Sequence, residues 1–322
     1  MATLNEAQLT QFRDEGYVVV RSLFDPEEDL DPVIGEYEGV LDRLASELHA
    51  QGHIPSTYAE LPFGPRLSRI CAESGSTHAQ YFDFSLPQKG IKLDTPFWAG
   101  PAVFQTLRNE KLLDAVEGFV GPEIYSNPIQ HVRLKPPEHL VPRDPKTGQV
   151  QLGATPWHQD SGVLLPSGDQ SQILTVWFPL WDATEENGCL MVRPYSHRHG
   201  LLHHCRRWNG LAIPDQFLPE GFVTLPMKRG DVLFMTQLTC HASLPNCSDE
   251  VRWSFDLRYN PIGQPTGREM FPGFVARSRQ HPESELRDPA TWHQLWEQTR
   301  NRMAQEEDPA YNRWGVEDKV CA

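Results

Sequence analysis

In the segment Pro156-Trp157-His158-Gln159-Asp160 an imidazole and a carboxylate, two side chains that ligate divalent metals, stand two residues apart. On an extended strand the side chains at i and i+2 leave the same face, so His158 and Asp160 would converge on one point. A third ligand must come from a distant strand. His241 qualifies, because it lies just after the turn-then-strand pattern Arg229-Gly230-Asp231-Val232-Leu233-Phe234-Met235. Two imidazoles and one carboxylate on one octahedral face leave the opposite face open, the arrangement used by non-haem Fe(II) oxygenases. Eleven residues beyond His241, Arg252 opens the run Arg252-Trp253-Ser254-Phe255-Asp256-Leu257. A hairpin return of that length would bring its guanidinium back beside the metal. There its planar fork could hold the far carboxylate of a keto-diacid that chelates iron at its other end.

Such a set needs strands to position it. Glu123 to Lys135, Gln172 to Trp181, Cys189 to Arg193, Asp231 to Met235 and Val251 to Asn260 are short β-type runs separated by Pro, Gly, Asn and Asp. Strands without alternating helices predict an antiparallel sandwich or barrel. Helices decorate it. Thr3 and Glu6 can form a capping box for a helix from Asn5 to Asp14, stopped by Gly16 before the β-rich Tyr17-Val18-Val19-Val20. Val33, Tyr37, Val40, Leu41, Leu44 and Leu48 recur at helical spacing, Glu110 to Phe119 closes on Gly121-Pro122, and Asp288-Pro289 precedes a face of Trp292, Leu295, Trp296, Thr299 and Met303. The last helix should pack outside the sheet. No composition break or internal repeat divides the chain. The expectation is one domain over 1–322, with a helical part over about 1–120, a β core over about 121–262 and a helical extension over about 285–306.

Composition narrows the partners. Of 322 residues, 39% are hydrophobic and 22% charged, the usage of a folded soluble protein. Lys and Arg number 29 against 43 Asp and Glu, and a net charge of −14 is repelled by phosphate backbones, which disfavours nucleic acid and anionic membranes. The 13 His, 28 Pro and 9 Trp suit a loop-rich β protein with a polar site. The opening MATLNEAQLTQFRDEGY shows no apolar leader and no run is long enough to span a bilayer, so a cytoplasmic location is expected. Six cysteines without a CxxC pair argue against a zinc ribbon or a disulfide framework and for a reduced protein. GxSxG, P-loop and GxGxxG signatures are missing, which removes the usual serine hydrolases, nucleotide hydrolases and dinucleotide enzymes.

Taken with the opening LTQFRDEGYVVVRSLF, the KPP at Lys135 to Pro137, WHQD at Trp157 to Asp160, ENGCLMVRPYSH from Glu186 to His197 and KRGDVLFM ahead of His241, the sequence resembles the phytanoyl-CoA dioxygenase family of Fe(II)/2-oxoglutarate oxygenases. The resemblance implies a mainly β fold, a double-stranded β-helix (jelly roll, cupin-like) with flanking α-helices. It implies iron held by His158, Asp160 and His241, with Arg252 anchoring 2-oxoglutarate and the Ser243 hydroxyl joining it. Trp177 resembles the family's cosubstrate-contacting tryptophan, and Lys92 and His131 fall where two further cosubstrate contacts are found. Because Asp160 is a carboxylate rather than a small residue, halogenation is not expected. The implied activity uses 2-oxoglutarate and O2 to oxidise, by hydroxylation first, a C–H bond of a small molecule, with release of succinate and CO2, as in secondary metabolism. A monomer or homodimer would suffice. Two alternatives stay open: a jelly-roll protein that binds metal or ligand without turnover, and a cupin-like metal isomerase or hydrolase, which would leave Arg252 and Ser243 without a purpose.

The cluster His197, Arg198, His199, His203, His204, Arg206 and Arg207 is a solvated loop, a second metal site or an anion-binding rim. As a rim, it would lie in a roof formed by Gly52 to Ile91 and Tyr195 to Gly221 and would meet an acidic or polar substrate. Cys240, adjacent to His241, should face away from the metal and pack.

Overall fold

The computed structural model describes residues 4–207, 210–307, 311, 313–314 and 319–321. Helix α1 (Glu6–Glu15) is capped by Asn5, whose side chain accepts from Gln8 N while the Gln8 side chain accepts from Asn5 N. The box expected at Thr3 and Glu6 is therefore built two residues later, and Thr3 lies outside the described residues. The chain then runs β1 (Tyr17–Val20), α2 (Asp31–Ala50), α3 (Phe63–Ser74), α4 (Ala79–Phe82), α5 (Pro101–Leu107) and α6 (Glu110–Val120). All six apolar positions expected on α2 are buried. The remaining strands are β2 (Glu123–Lys135), β3 (Leu174–Pro179), β4 (Leu190–Val192), β5 (Cys205–Arg207), β6 (Gly210–Ala212), β7 (Val223–Leu225), β8 (Val232–Thr236), β9 (His241–Ser243), β10 (Arg252–Pro261) and β11 (Phe274–Ser278). Helix α7 (Pro289–Met303) follows, with Asp288 as its N-cap.

The strands form a larger sheet in the order β1-β8-β3-β10-β2-β11, a smaller one in the order β7-β4-β9, and the hairpin β5-β6, antiparallel throughout. A bridge between His158 and His241 extends the smaller sheet past β9. This is the mainly β jelly roll that the sequence implied. Both edges of the larger sheet, β1 and β11, come from outside 121–262. The expected hairpin between His241 and Arg252 is not made: β9 belongs to the smaller sheet and β10 to the larger, so the chain crosses the sandwich between them. Strands of three residues are too short to show alternation, which is why β5, β6, β7 and β9 escape a sequence reading.

The larger sheet has two unlike faces. Trp253, Phe255, Leu257 and Tyr259 of β10, Leu174, Val176 and Phe178 of β3, and Val232 and Phe234 of β8 join one apolar core with the buried faces of α2, α3, α5, α6 and α7. The Trp253 ring stacks on Phe63 at 4.6 Å, and Trp292 of α7 meets Phe104 at 5.5 Å. The alternate residues Trp177, Leu233 and Met235 point the other way and pack with Leu190, Val192 and Leu225 of the smaller sheet. The larger apolar core thus lies on one face, and the other combines a smaller apolar cluster with polar chemistry.

Contrary to the expectation of a fully reduced chain, Cys205 and Cys321 form a disulfide across 116 residues of sequence. It ties the C-terminal segment to β5, and Trp314 nearby donates from Nε1 to Gly162 O at 2.6 Å. Cys71, Cys189, Cys240 and Cys247 are free, and Cys240 is buried as expected of a packing residue. No described helix is long and apolar enough to cross a membrane. Removing a cross-link that closes so long a loop restores chain entropy to the unfolded state. Cys321→Ser should therefore cost about 2–4 kcal/mol in urea denaturation without reductant, and the difference from the parent should vanish when reductant is present.

Candidate metal centre and adjoining cavities

His158 and His241 face each other in the bridge, with His158 N donating to His241 O at 3.0 Å and His241 N to His158 O at 2.9 Å. Their rings lie 4.2 Å apart. Gln159 is extended (φ −115°, ψ 145°), and the chain then turns at Asp160–Val163, so Asp160 leaves on the same side as His158. One ligand atom from each of His158, Asp160 and His241 lies within 4.8 Å of the others. His158 Nδ1–H donates to Pro156 O at 2.8 Å and His241 Nδ1–H to Thr239 O at 3.0 Å. These bonds fix both tautomers and leave each Nε2 lone pair free, as a first-row divalent metal requires. Burial, reinforced by His241, pushes the His158 imidazole down to about 3. Burial alone would raise the Asp160 carboxyl, but Arg258, followed by His241, holds it below the usual carboxylate range. The set is thus two imidazoles, each with Nε2 turned to the site, and one ionised carboxylate.

Asp160 is 1% exposed. Thr175 Oγ1 donates to its Oδ2 and Arg258 Nη2 to its Oδ1, while Arg258 Nη1 donates to Ile129 O at 2.9 Å. Arg258 of β10 stands directly opposite Thr175 of β3. Sequence reasoning missed both, although the signal was present: Thr175 is two residues before Trp177 and Arg258 six after Arg252, and even offsets on a strand share a face.

The intervening Gln159 is clamped as well. Its side chain donates to Gly200 O at 2.8 Å and Leu238 O at 2.7 Å, and its N–H donates to His204 Nε2 at 2.9 Å. His204 Nδ1–H donates to Leu202 O at 2.8 Å, so its ring is held neutral with both nitrogens used. Gly162 makes room for that ring, since a Cβ there would lie 2.4 Å from His204 Nε2.

A cavity of about 70 Å³ adjoins the triad, walled by His158, His241, Trp177, Leu190, Met235, Asp256 and Arg252 among others. It shares Arg133, Thr155 and Arg252 with a second cavity of about 320 Å³. Arg252 is 3% exposed; Nη1 donates to Ser254 Oγ and Nε has no partner. Burial, and then Arg133, pushes its guanidinium down to about 10. Its Cζ lies 5.6 Å from the Trp177 ring centroid. Ser243 Oγ accepts from Lys135 Nζ at 2.7 Å and from Thr155 N at 2.9 Å, which engages both lone pairs and leaves its own proton to donate. The arrangement offers a cation and a hydroxyl donor to an acid that also reaches the triad.

Two expected cosubstrate contacts are not brought here. Lys92 is exposed on a turn, its N–H donating to Thr95 Oγ1 at 2.7 Å, and it lines neither cavity. His131 is engaged with Asp83 at 2.7 Å, and burial pushes its imidazole down. The His/Arg cluster is not a rim either. Arg198 Nη2 donates to Asp14 O at 2.8 Å and His197 Nε2–H to Arg13 O at 3.2 Å, docking the turn on α1, and Arg206 and Arg207 are exposed on β5. Of the two stretches expected to roof the site, Gly52 to Ile91 supplies Ala79, Gln80, Phe82 and Asp83 to the larger cavity, and Tyr195 to Gly221 lines neither.

A jelly roll with two imidazoles and a carboxylate beside a cavity that holds a buried guanidinium has the features of an iron- and 2-oxoglutarate-dependent enzyme of the oxygenase type. The sequence profile of the phytanoyl-CoA dioxygenase (PhyH) family matches residues 12–254, and the chain belongs to that family. It is 25% identical over 274 residues to the phytanoyl-CoA dioxygenase domain-containing protein 1 homolog of Dictyostelium discoideum, covering 80% of this chain and 91% of that protein. It is 34% identical over 125 residues to 1-deoxypentalenic acid 11-beta-hydroxylase of Streptomyces arenae, covering 35% of this chain and 43% of that one. In fold it is similar to EvdO2 of Micromonospora carbonacea var. aurantiaca complexed with 2-oxoglutarate, with a TM-score of 0.51, 20% identity and coverage of 81% and 92%.

Two outcomes follow from the supports of the triad. Arg258→Gln leaves Asp160 as a buried charge without its ion-pair partner and should cost about 3–5 kcal/mol in the metal-free protein. Anaerobic Fe(II) should then raise the melting temperature more in the variant than in the parent, because the metal replaces the lost cation. For His204, burial puts the folded value at about 4, below the ordinary value of about 6.5. Above that ordinary value both states are neutral and the group contributes nothing. As pH falls through it the unfolded chain takes a proton that the folded one refuses, so stability declines by up to about 3 kcal/mol before pH 4. Urea midpoints at pH 7.5 and 5 test this, and the decline should shrink in His204→Gln.

Proposed function

We propose that the protein is a 2-oxoglutarate-dependent dioxygenase that hydroxylates a C–H bond of a small molecule. In this reading His158, Asp160 and His241 hold iron, and Arg252 with Ser243 holds the far carboxylate of 2-oxoglutarate. The observation that carries it is Arg252: a guanidinium buried beside the triad with Nε unpartnered. An unpaired buried charge is costly, and the cost is removed when a ligand brings the anion. The name of the Streptomyces arenae relative supports hydroxylation as the outcome.

Bound at the triad, iron supplies O2 activation, with the cosubstrate oxidised to succinate and CO2. The chain's own work is positional. Arg252 offers two parallel N–H donors to a carboxylate, and Ser243 Oγ–H adds a third, aimed by Lys135 and the Thr155 N–H. Trp177, 3% exposed, forms a flat apolar wall beneath the guanidinium and keeps water from that carboxylate. Thr175 and Arg258 each donate to one Asp160 oxygen, which holds the carboxylate in a fixed direction beside the two imidazoles that would hold iron with it.

Succinate formation with Fe(II), 2-oxoglutarate and O2 is the direct measurement. Truncating one partner of a buried charge pair costs about 2–5 kcal/mol, so Arg252→Met should raise the KM for 2-oxoglutarate by about thirtyfold or more, and Arg252→Lys by less. Ser243→Ala should raise it about tenfold. Iron-loaded protein that forms no succinate, even without added substrate, would support the binding-module reading instead.

A further inference from the structure

Strand β2 carries Arg133 and Lys135 on one face, two residues apart. In register, Lys135 lies directly opposite Arg252 and Arg133 opposite Ser254. Like charges facing each other on neighbouring antiparallel strands repel, and the one carboxylate on the smaller cavity's wall, Asp256, contacts Arg258 Nη2 at 3.4 Å, so the chain answers this row of cations only in part. On the reading above, Arg252 is answered by the cosubstrate. Lys135 gives its protons to Ser243 Oγ and to Leu244 O at 2.9 Å, and burial, followed by Arg252, pushes its ammonium well below the ordinary range. Arg133 remains. Its guanidinium makes no hydrogen bond or ion pair with any described residue and the side chain is exposed, although Val132 and Leu134 on either side of it are buried. Its exposure is to the cavities: with Thr155 and Arg252 it is common to both. Asp83, the carboxylate in the wall of the larger cavity, is already engaged by His131 and by the N–H groups of Val132 and Ser85, each at 3.3 Å.

We propose that Arg133 binds an anionic group of the substrate, a carboxylate or phosphonate, at the junction of the two cavities. This deepens the reading above and rests on it. A guanidinium fork fixes such a group in two parallel bonds, so one contact sets both position and orientation. The larger cavity takes the rest of the molecule. At about 320 Å³ it is at the lower end of small-ligand sites, with apolar wall from Phe82, Leu134 and Leu152 and amides from Gln80 and Gln151. The substrate class is a compact organic acid with an apolar body, held by its acid group so that a C–H bond is presented to the triad. Arg133, rather than the Arg198, Arg206 and Arg207 cluster, is the specificity residue.

The test uses the full-length protein with Fe(II) and 2-oxoglutarate under anaerobic conditions. Probes are decanoate against decanamide, and octylphosphonate against its dimethyl ester, with affinity read by calorimetry. At least one acid should bind about tenfold or more tighter than its neutral counterpart, and the arm that shows it separates carboxylate from phosphonate. Arg133→Gln should abolish that preference to within about twofold, Arg133→Lys should keep part of it, and 2-oxoglutarate affinity should change by less than about threefold in either. The proposal is overturned if acids and neutral probes bind alike or not at all, or if the preference survives in Arg133→Gln. It is also overturned if Arg133→Gln weakens 2-oxoglutarate as Arg252→Met does, which would make Arg133 a cosubstrate ligand. Wild-type protein that takes up no 2-oxoglutarate with iron present would instead sink the cosubstrate assignment, a result visible before any probe is added.

Discussion

A carboxylate that is to hold a dication must be ionised, yet Asp160 is almost wholly removed from water. Left alone, a group so buried takes up a proton rather than keep its charge. Arg258 resolves the conflict, and most of the architecture around the triad can be read as the means of putting that guanidinium in place. Asp160 sits on a turn after a single-residue bridge, which by itself fixes little. Thr175 and Arg258 come from the central, mutually registered strands β3 and β10, so the position of the loop carboxylate is inherited from the stiffest part of the larger sheet. The ion pair also means that Asp160 would offer a metal a carboxylate already partly satisfied by a cation, a weaker donor but one of definite direction.

Strand β10 shows how one sequence serves stability and chemistry without compromise. Its period of two sends Arg252, Ser254, Asp256 and Arg258 to the polar interior and Trp253, Phe255, Leu257 and Tyr259 to the helical core. A strand with so polar a face contributes little apolar burial there. The deficit is met on the other face, where fully burying each large aromatic is worth about 1.5–3 kcal/mol. The helices laid over that face are therefore what allows the interior to hold charge. Tyr259 marks the boundary: its hydroxyl finds Leu107 O at 2.8 Å rather than being left unpaired.

What the sequence disclosed follows the range of the interactions involved. The His158/Asp160 spacing is local and survives a change of backbone after one extended residue, so it was legible. The amphipathic face of α2 was legible for the same reason. His241 and Arg252 were found by spacing and come together, but by crossing between sheets rather than by a hairpin, and no local pattern distinguishes the two routes. Arg258 and Thr175 were discoverable from the even-offset rule once β3 and β10 were assigned; they went unnoticed because neither belongs to a short motif. Lys92 and His131 were placed by resemblance along the chain, and nothing local to either shows that Lys92 stays on an exposed turn or that Asp83 claims the His131 ring. The Cys205–Cys321 disulfide joins residues whose separation carries no sequence signal at all.

The overall charge of −14 suggests at first sight a protein that repels acids. The interior says otherwise, because electrostatics is decided by distance and dielectric rather than by totals. At physiological ionic strength surface charges are screened over about 8 Å, so exposed carboxylates more than that distance from the cavities scarcely reach them. Inside, Lys135, Arg252 and Arg258 lie buried along two adjacent strands, with Arg133 at the cavity opening, and the buried charges are felt at greater strength than in water. Of the carboxylates near them, Asp160 and Asp256 are engaged by Arg258 and Asp83 by His131. An acid diffusing over this surface therefore meets weak, screened repulsion outside and strong attraction at one place. On the proposed reading that contrast would confine anion binding to the neighbourhood of the triad, so the acidic composition is no argument against an acidic substrate.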